Sequence, residues 1–133
     1  MNLKILVIED HDDFREIVKT HLKSQNLNLQ IFEASSGEVG EVIALRERPD
    51  IILMDIRLPN ANGIDTATRI KKNLPECKII ILTMFETEVF RNIFKSNDIS
   101  AYVGKSELYE KLIPIIKRVV SGGNGGISKG ERN

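Results

Sequence analysis

Three short stretches constrain this chain more than anything else in it. "LKILVI" (Leu3–Ile8), "DIILM" (Asp50–Met54) and "KIIILT" (Lys78–Thr83) are almost continuously apolar and rich in β-branched residues. A strand with one wet face alternates between apolar and polar residues, whereas one that is apolar throughout is covered on both faces, as in a parallel sheet between two layers of helices. "LQIFEA" (Leu29–Ala34) and "SAYV" (Ser100–Val103) are weaker candidates for two further strands. Between these runs the apolar spacing changes to that of a helix. Phe14, Ile17, Val18 and Leu22 share one face, as do Val89, Phe90, Ile93 and Phe94, and then Leu108, Leu112, Ile115, Ile116 and Val119. The spacing predicts an α/β domain with a five-stranded, doubly wound parallel sheet flanked by five helices, because parallel neighbours need crossover connections and those crossovers are right-handed.

The 133 residues suit a single domain. Residues 1–121 are predicted to form it. The remainder, 122–133, reads as a Gly-rich linker or disordered tail, since "GGNGGISKGERN" carries one large apolar residue. Pro114 breaks the last helical pattern by removing the hydrogen bond to the Glu110 carbonyl, which costs about 3 kcal/mol in an ideal helix interior. A kink or a shortened helix is expected there. Nineteen basic and nineteen acidic side chains leave no net charge to draw the chain to nucleic acid or an anionic membrane. No apolar run is long enough for a membrane span, and the single Cys77 cannot form an internal disulfide, so a cytoplasmic location is expected.

The chemistry lies at and just past the strand ends. Glu9 and Asp10 come directly after the first strand and Asp55 after the third; Thr83 ends the fourth, and Lys105 lies just past the fifth. In a doubly wound sheet, ligands bind beyond the carboxyl ends of the strands, where these five side chains converge. Three crowded carboxylates repel unless a cation lies among them. The set suits a hard divalent ion such as Mg2+, which prefers oxygen ligands, and a neighbouring lysine and hydroxyl suit the oxygens of a phosphoryl group.

With these residues in view, the chain resembles the receiver domains of bacterial two-component response regulators. The resemblance runs from Leu3 to about residue 123 and rests on "VIEDHDDFRE", "ILMDIRLPNANGID", "IIILTMFETE" and "AYVGK" in order. It implies a flavodoxin-like strand order 2-1-3-4-5. Asp55 becomes the phosphoacceptor, and Glu9, Asp10, Asp55 and the backbone carbonyl of Arg57 become the Mg2+ ligands. Thr83 and Lys105 contact the phosphoryl oxygens, and Thr83 with Tyr102 forms a switch. The resemblance also implies a sensor histidine kinase as the donor. The face built from the fourth predicted helix, the fifth strand and the fifth helix then changes shape, altering homodimerisation or contact with an output.

The wording is most similar to the subfamily with a C-terminal LuxR-type helix-turn-helix domain. DNA would be reached only through such an output domain, which this stretch does not include, and the chain is either an excised receiver or stands alone. It is expected to accept a phosphoryl group rather than act as an enzyme. Two alternatives remain: a degenerate receiver serving as a docking scaffold, and a phosphotransferase resembling haloacid dehalogenases.

Other features have plainer readings. Asp10 or Asp12 could cap the first helix, and Ser106 the last. His11 reads as a solvated loop residue, His21 as bordering the core, Cys77 as a structural thiol, and Pro59 and Gly63 as loop-shaping. Met84, Phe85 and Arg57 are expected to roof the phosphoryl site.

Overall fold

The computed structural model describes residues 2–58, 61–84 and 98–122. In chain order the elements are β1 (Asn2–Ile8), α1 (Asp12–Lys23), β2 (Asn28–Ala34), α2 (Gly37–Glu47), β3 (Ile51–Asp55), the two-residue strands β4 (Arg57–Leu58) and β5 (Ala61–Asn62), α3 (Gly63–Asn73), β6 (Lys78–Thr83), β7 (Ala101–Gly104), a 3-10 turn at Lys105–Glu107, and α4 (Leu108–Val120). Five long strands form one parallel sheet in the order β2-β1-β3-β6-β7. The small antiparallel pair β4 and β5, unexpected from sequence, shifts the chain-order numbers. Counting the long strands alone, the spatial order is the expected 2-1-3-4-5.

β1 and β3 show why the apolar runs are continuous. Ile5, Val7, Ile51, Leu53, Ile80 and Leu82 face the layer containing α1 and α4, with Val18, Leu22 and Leu112. Their neighbours Leu6, Ile8, Ile52, Met54, Ile79 and Ile81 face the layer of α2 and α3, with Ala44, Ala67 and Ile70. Both faces are dry, so neither tolerates a polar residue in the alternation.

Four α-helices lie among the described residues; the predicted helix carrying Val89, Phe90, Ile93 and Phe94 lies outside them. On α1, Val18 and Leu22 are fully buried, but Ile17 is 40% exposed, because a packed helix buries a stripe narrower than the run of apolar residues here. His21 borders the core as expected and meets Tyr109 of α4 edge to face at 4.9 Å. α4 also differs from expectation. It runs through Pro114 for its full 13 residues, and Ile113 joins the buried set. Pro114 and Glu110 both lie on the exposed side, so the carbonyl that loses its partner is open to water. Ser106 does not cap this helix: it is absorbed in the 3-10 turn, and the N-cap is Glu107, with no side-chain bond.

Neither Asp10 nor Asp12 caps α1. His11, exposed as expected, takes the N-cap without a side-chain bond, and Asp12 and Asp13 sit in the first turn, where the helix dipole favours negative charge. Cys77 is buried, and burial pushes its thiol up to about 12, which suits a structural role. Among the described residues no helix is long and apolar enough to cross a membrane.

α2 ends on Arg48 in the left-handed conformation, φ 51° and ψ 62°, with its N–H donating to the Ala44 carbonyl at 2.8 Å. Pro49 disfavours a further right-handed helical residue at position 48, so the helix ends there. Arg48→Gly relieves a left-handed penalty of about 1–2 kcal/mol and adds about 0.5–1 kcal/mol of unfolded-state entropy cost. The variant is expected to gain roughly 0.5–1 kcal/mol in urea unfolding, with an unchanged m value.

Candidate functional site

All five residues singled out at strand ends arrive at one edge of the sheet. Glu9 and Asp10 leave β1, Asp55 is the last residue of the central strand β3, Thr83 is the last of β6, and Lys105 follows β7 directly. Parallel pairing in register brings them level: Asp55 is opposite Leu82 and Thr83 opposite Gly104. No local interaction along the chain could do this, because the residues are separated by tens of positions.

The Lys105 Nζ lies 3.3 Å from Asp55 Oδ2 and 3.0 Å from Glu9 Oε1. Asp55 also accepts from the Arg57 backbone N–H at its Oδ1, 3.1 Å away, and Glu9 Oε2 accepts from the His11 N–H at 3.1 Å. The Glu9 side chain is fully buried, and that of Asp55 is 9% exposed. Burial raises the Glu9 carboxyl above its ordinary value; the adjacent Lys105 ammonium opposes this, and the nearby negative charge of Asp55 adds to it.

Glu9, Asp10 and Asp55 each offer a carboxylate oxygen, and these atoms all lie within 4.8 Å of one another. Glu9 Oε1 is buried and, although Lys105 is close, has no hydrogen bond of acceptable direction. An acidic set with one buried oxygen so poorly satisfied fits a hard, oxygen-preferring divalent cation. Asp10 is exposed, which leaves that side of the cluster open to solvent and to an incoming group.

Two supporting residues were not legible as such in the sequence. Arg15 Nη1 donates to the Glu9 carbonyl at 2.7 Å while the same guanidinium pairs with Asp12 at 2.7 Å and Glu33 at 3.1 Å, bracing the end of β1. Phe14 places its ring 4.6 Å below the Lys105 ammonium, a cation–π contact at a residue that periodicity marks only as part of the apolar stripe. An aromatic and an arginine one turn after an acidic pair were the available signals.

Thr83 is fully buried and Tyr102 is 8% exposed. Tyr102 packs in the α2/α3 layer and pairs in register with Ile81, so strand alternation places Thr83 on the face of Ile81 and Tyr102. Met84 is 81% exposed. Phe85 and Pro59 lie outside the described residues.

Gly63 does more than shape a loop. It opens α3 behind the Asn62 cap, whose side chain accepts from the Ile64 N–H at 2.7 Å, and its own N–H donates to the Ile56 carbonyl at 2.9 Å. A Cβ here would stand 2.6 Å from the Asp55 carbonyl oxygen and 2.9 Å from the Ile56 Cα. Only glycine lets α3 approach the backbone that carries Asp55.

The fold and the acidic edge together define a doubly wound domain with a carboxylate cluster at the end of its central strand. A family model described as the response regulator receiver domain matches residues 5–117, and the chain belongs to that family. The response regulator VraR of Staphylococcus aureus is 29% identical over 124 residues, which cover 92% of this chain and 58% of that protein. The chain thus spans little more than half the length of the curated relatives it matches. A LuxR-family two-component response regulator from Aurantimonas superposes with a TM-score of 0.81 at 26% identity, over 92% of this chain and 87% of that one. TrrA of Thermotoga maritima, solved in complex with Mg2+ and BeF, gives 0.79 at 28% identity, over 88% and 98%. Family membership decides for a receiver over the phosphotransferase resembling haloacid dehalogenases, and the Glu9/Asp10/Asp55 pocket fits its phosphorylation site.

Gly63→Ala is expected to destabilise the domain by about 1–3 kcal/mol, the usual cost of overpacking against groups that cannot yield. Because the clash is with the Asp55 and Ile56 backbone, amide shifts in an NMR spectrum should move at Asp55 and Lys105 as well as in α3. Shifts confined to α3 would contradict this account.

Proposed function

We propose that Asp55 accepts a phosphoryl group from a phosphohistidine of a sensor kinase, with Mg2+ held by Glu9, Asp10, Asp55 and the Arg57 backbone carbonyl. The observation that carries this reading is the placement of the Asp55 carboxylate within reach of both the Lys105 ammonium and the two other acids. Mg2+, when bound, neutralises the charge of the acidic cluster and of the arriving group. In the transfer the nitrogen–phosphorus bond of the donor breaks, an oxygen–phosphorus bond forms at the Asp55 carboxylate, and the imidazole leaves with its electron pair. The chain is the acceptor in this step rather than an enzyme turning over a separate substrate.

Lys105 and Thr83 then carry the signal. Lys105, held between Glu9 and Asp55 and supported on Phe14, supplies positive charge for the new phosphoryl oxygens. Thr83 turns its hydroxyl toward them, and Tyr102, on the same face of the neighbouring strand, repacks in response. The surface around Tyr102 and α4 changes with it, altering homodimerisation or contact with an output domain. The similarity to VraR and to a LuxR-family regulator supports transcription as the regulated output, through a DNA-binding segment outside this chain. The location is cytoplasmic in this reading, where the phosphohistidine donor is made.

Incubation with acetyl phosphate and Mg2+ is expected to add one phosphoryl group by intact-mass spectrometry. Asp55→Asn should add none, and Thr83→Ala should accept the group but lose any phosphorylation-dependent change in association. Mg2+ at about ten times its dissociation constant stabilises by about 1.4 kcal/mol, a rise of roughly 3–6 °C in Tm, and Asp55→Asn should show a much smaller rise. A folded wild type that takes no phosphoryl group would instead identify a docking scaffold.

A further inference from the structure

α2 is built the wrong way round for a surface helix. It turns Gly37, Gly40 and Ala44 to the core and sends its larger apolar residues outward: Val39 is 48% exposed, Val42 62% and Leu45 44%. The inward choice has a packing cause, because a Cβ at Gly40 would lie 2.4 Å from the Ile8 side chain, so the helix sits close on the sheet. That accounts for the small residues inside. It does not account for three aliphatic side chains in water on an exposed row, where charge is the ordinary choice.

The order of residues on that row identifies its occupant. Counting from Val42, the positions three residues before and after are Val39 and Leu45, both apolar; those four before and after are Glu38 and Arg46, an acid and a base. At 3.6 residues per turn all five fall on the outward side, and Glu38 and Arg46 are both exposed. If a second α2 lies antiparallel with a two-fold axis at Val42, residue 42 + n faces residue 42 − n. Val39 then meets Leu45, Glu38 meets Arg46, and Val42 meets itself. The face is complementary in shape class and charge to its own antiparallel copy, which is the property an isologous interface requires. An unrelated partner requires no such symmetry.

We propose that the outer face of α2 binds a second copy of this chain, α2 against α2, antiparallel about Val42. The exposed pair of Arg46 with Glu47, 2.9 Å apart, does not obstruct this, since the guanidinium has five donors and an exposed pair contributes little. An 11-residue helix is about 16 Å long and buries less than the roughly 1,200–2,000 Å² of a stable interface, so the association is weak in isolation. It lies on the α2/α3 side of the sheet, away from α4, and does not depend on the phosphoacceptor reading.

The test uses the whole chain. Val42→Cys, under mild oxidation at high protein concentration, is expected to form a disulfide-linked dimer at least about tenfold faster than Val39→Cys or Tyr109→Cys, because only position 42 meets itself across the axis. Cys77 is buried and stays out of the reaction. In sedimentation equilibrium Glu38→Arg should weaken self-association, and Glu38→Arg combined with Arg46→Glu should restore it, since the double reversal recreates both cross-axis pairs. All of these positions are exposed, so the fold is expected to persist, as checked by circular dichroism. Equal cross-linking at the three cysteine positions, or a double reversal no better than the single one, overturns the proposal. A wild type that stays monomeric at every concentration overturns it too and leaves the row to a different partner.

Discussion

The contact on which the rest of the site depends is the Lys105 ammonium held between Glu9 and Asp55. Two buried carboxylates at the ends of adjacent strands repel, and desolvation strengthens that repulsion because little water screens it. Without a cation at the edge, ionised Glu9 and Asp55 would oppose the very pairing of β1 with β3 that brings them together. Lys105 supplies one positive charge from β7, two strands away from β3, and so ties three strand ends into one electrostatic unit. One ammonium against three carboxylates leaves a net negative site, which is the physical basis for its fit to a divalent ion.

Close backbone packing holds that unit in place. Gly63 lets the start of α3 rest on the carbonyl of Asp55, and Gly40 lets α2 rest on Ile8, the residue before Glu9. Both glycines are therefore steric requirements of the site's supports, and neither rests on an unusual φ. Arg15 and Phe14 act from the other layer, one on the Glu9 carbonyl and one beneath Lys105. The acidic edge is thus clamped from both faces of the sheet, which makes its geometry a property of the whole domain rather than of a loop.

Much of this was legible in the chain because it follows from short-range rules. Continuous β-branched runs mean two dry faces, so the strands and their parallel order could be read, and residues directly after such strands must gather at one edge. Glu9, Asp10, Asp55, Thr83 and Lys105 stand out on that ground, and the resemblance to receiver domains rests on the four motifs that contain or adjoin them. Less legible were features that depend on which side of a helix meets the sheet. Ile17 belongs to an apolar run yet is exposed, Ile113 falls outside the expected stripe yet is buried, and Pro114 is tolerated because its broken hydrogen bond faces water.

What the sequence by itself determined is the alternation of strand and helix, the edge to which the chemistry comes, and the identity of the groups there, since periodicity and strand ends are local properties. Only the tertiary structure decided how those groups pair: that Lys105 bridges Glu9 and Asp55, that Phe14 and Arg15 support the site, and that Val39, Val42 and Leu45 face outward. The reason is physical. Distances between side chains separated by fifty residues depend on the stacking of layers, and a helix turns its smaller face inward only where a neighbouring side chain, here Ile8 against Gly40, leaves no room for the larger one.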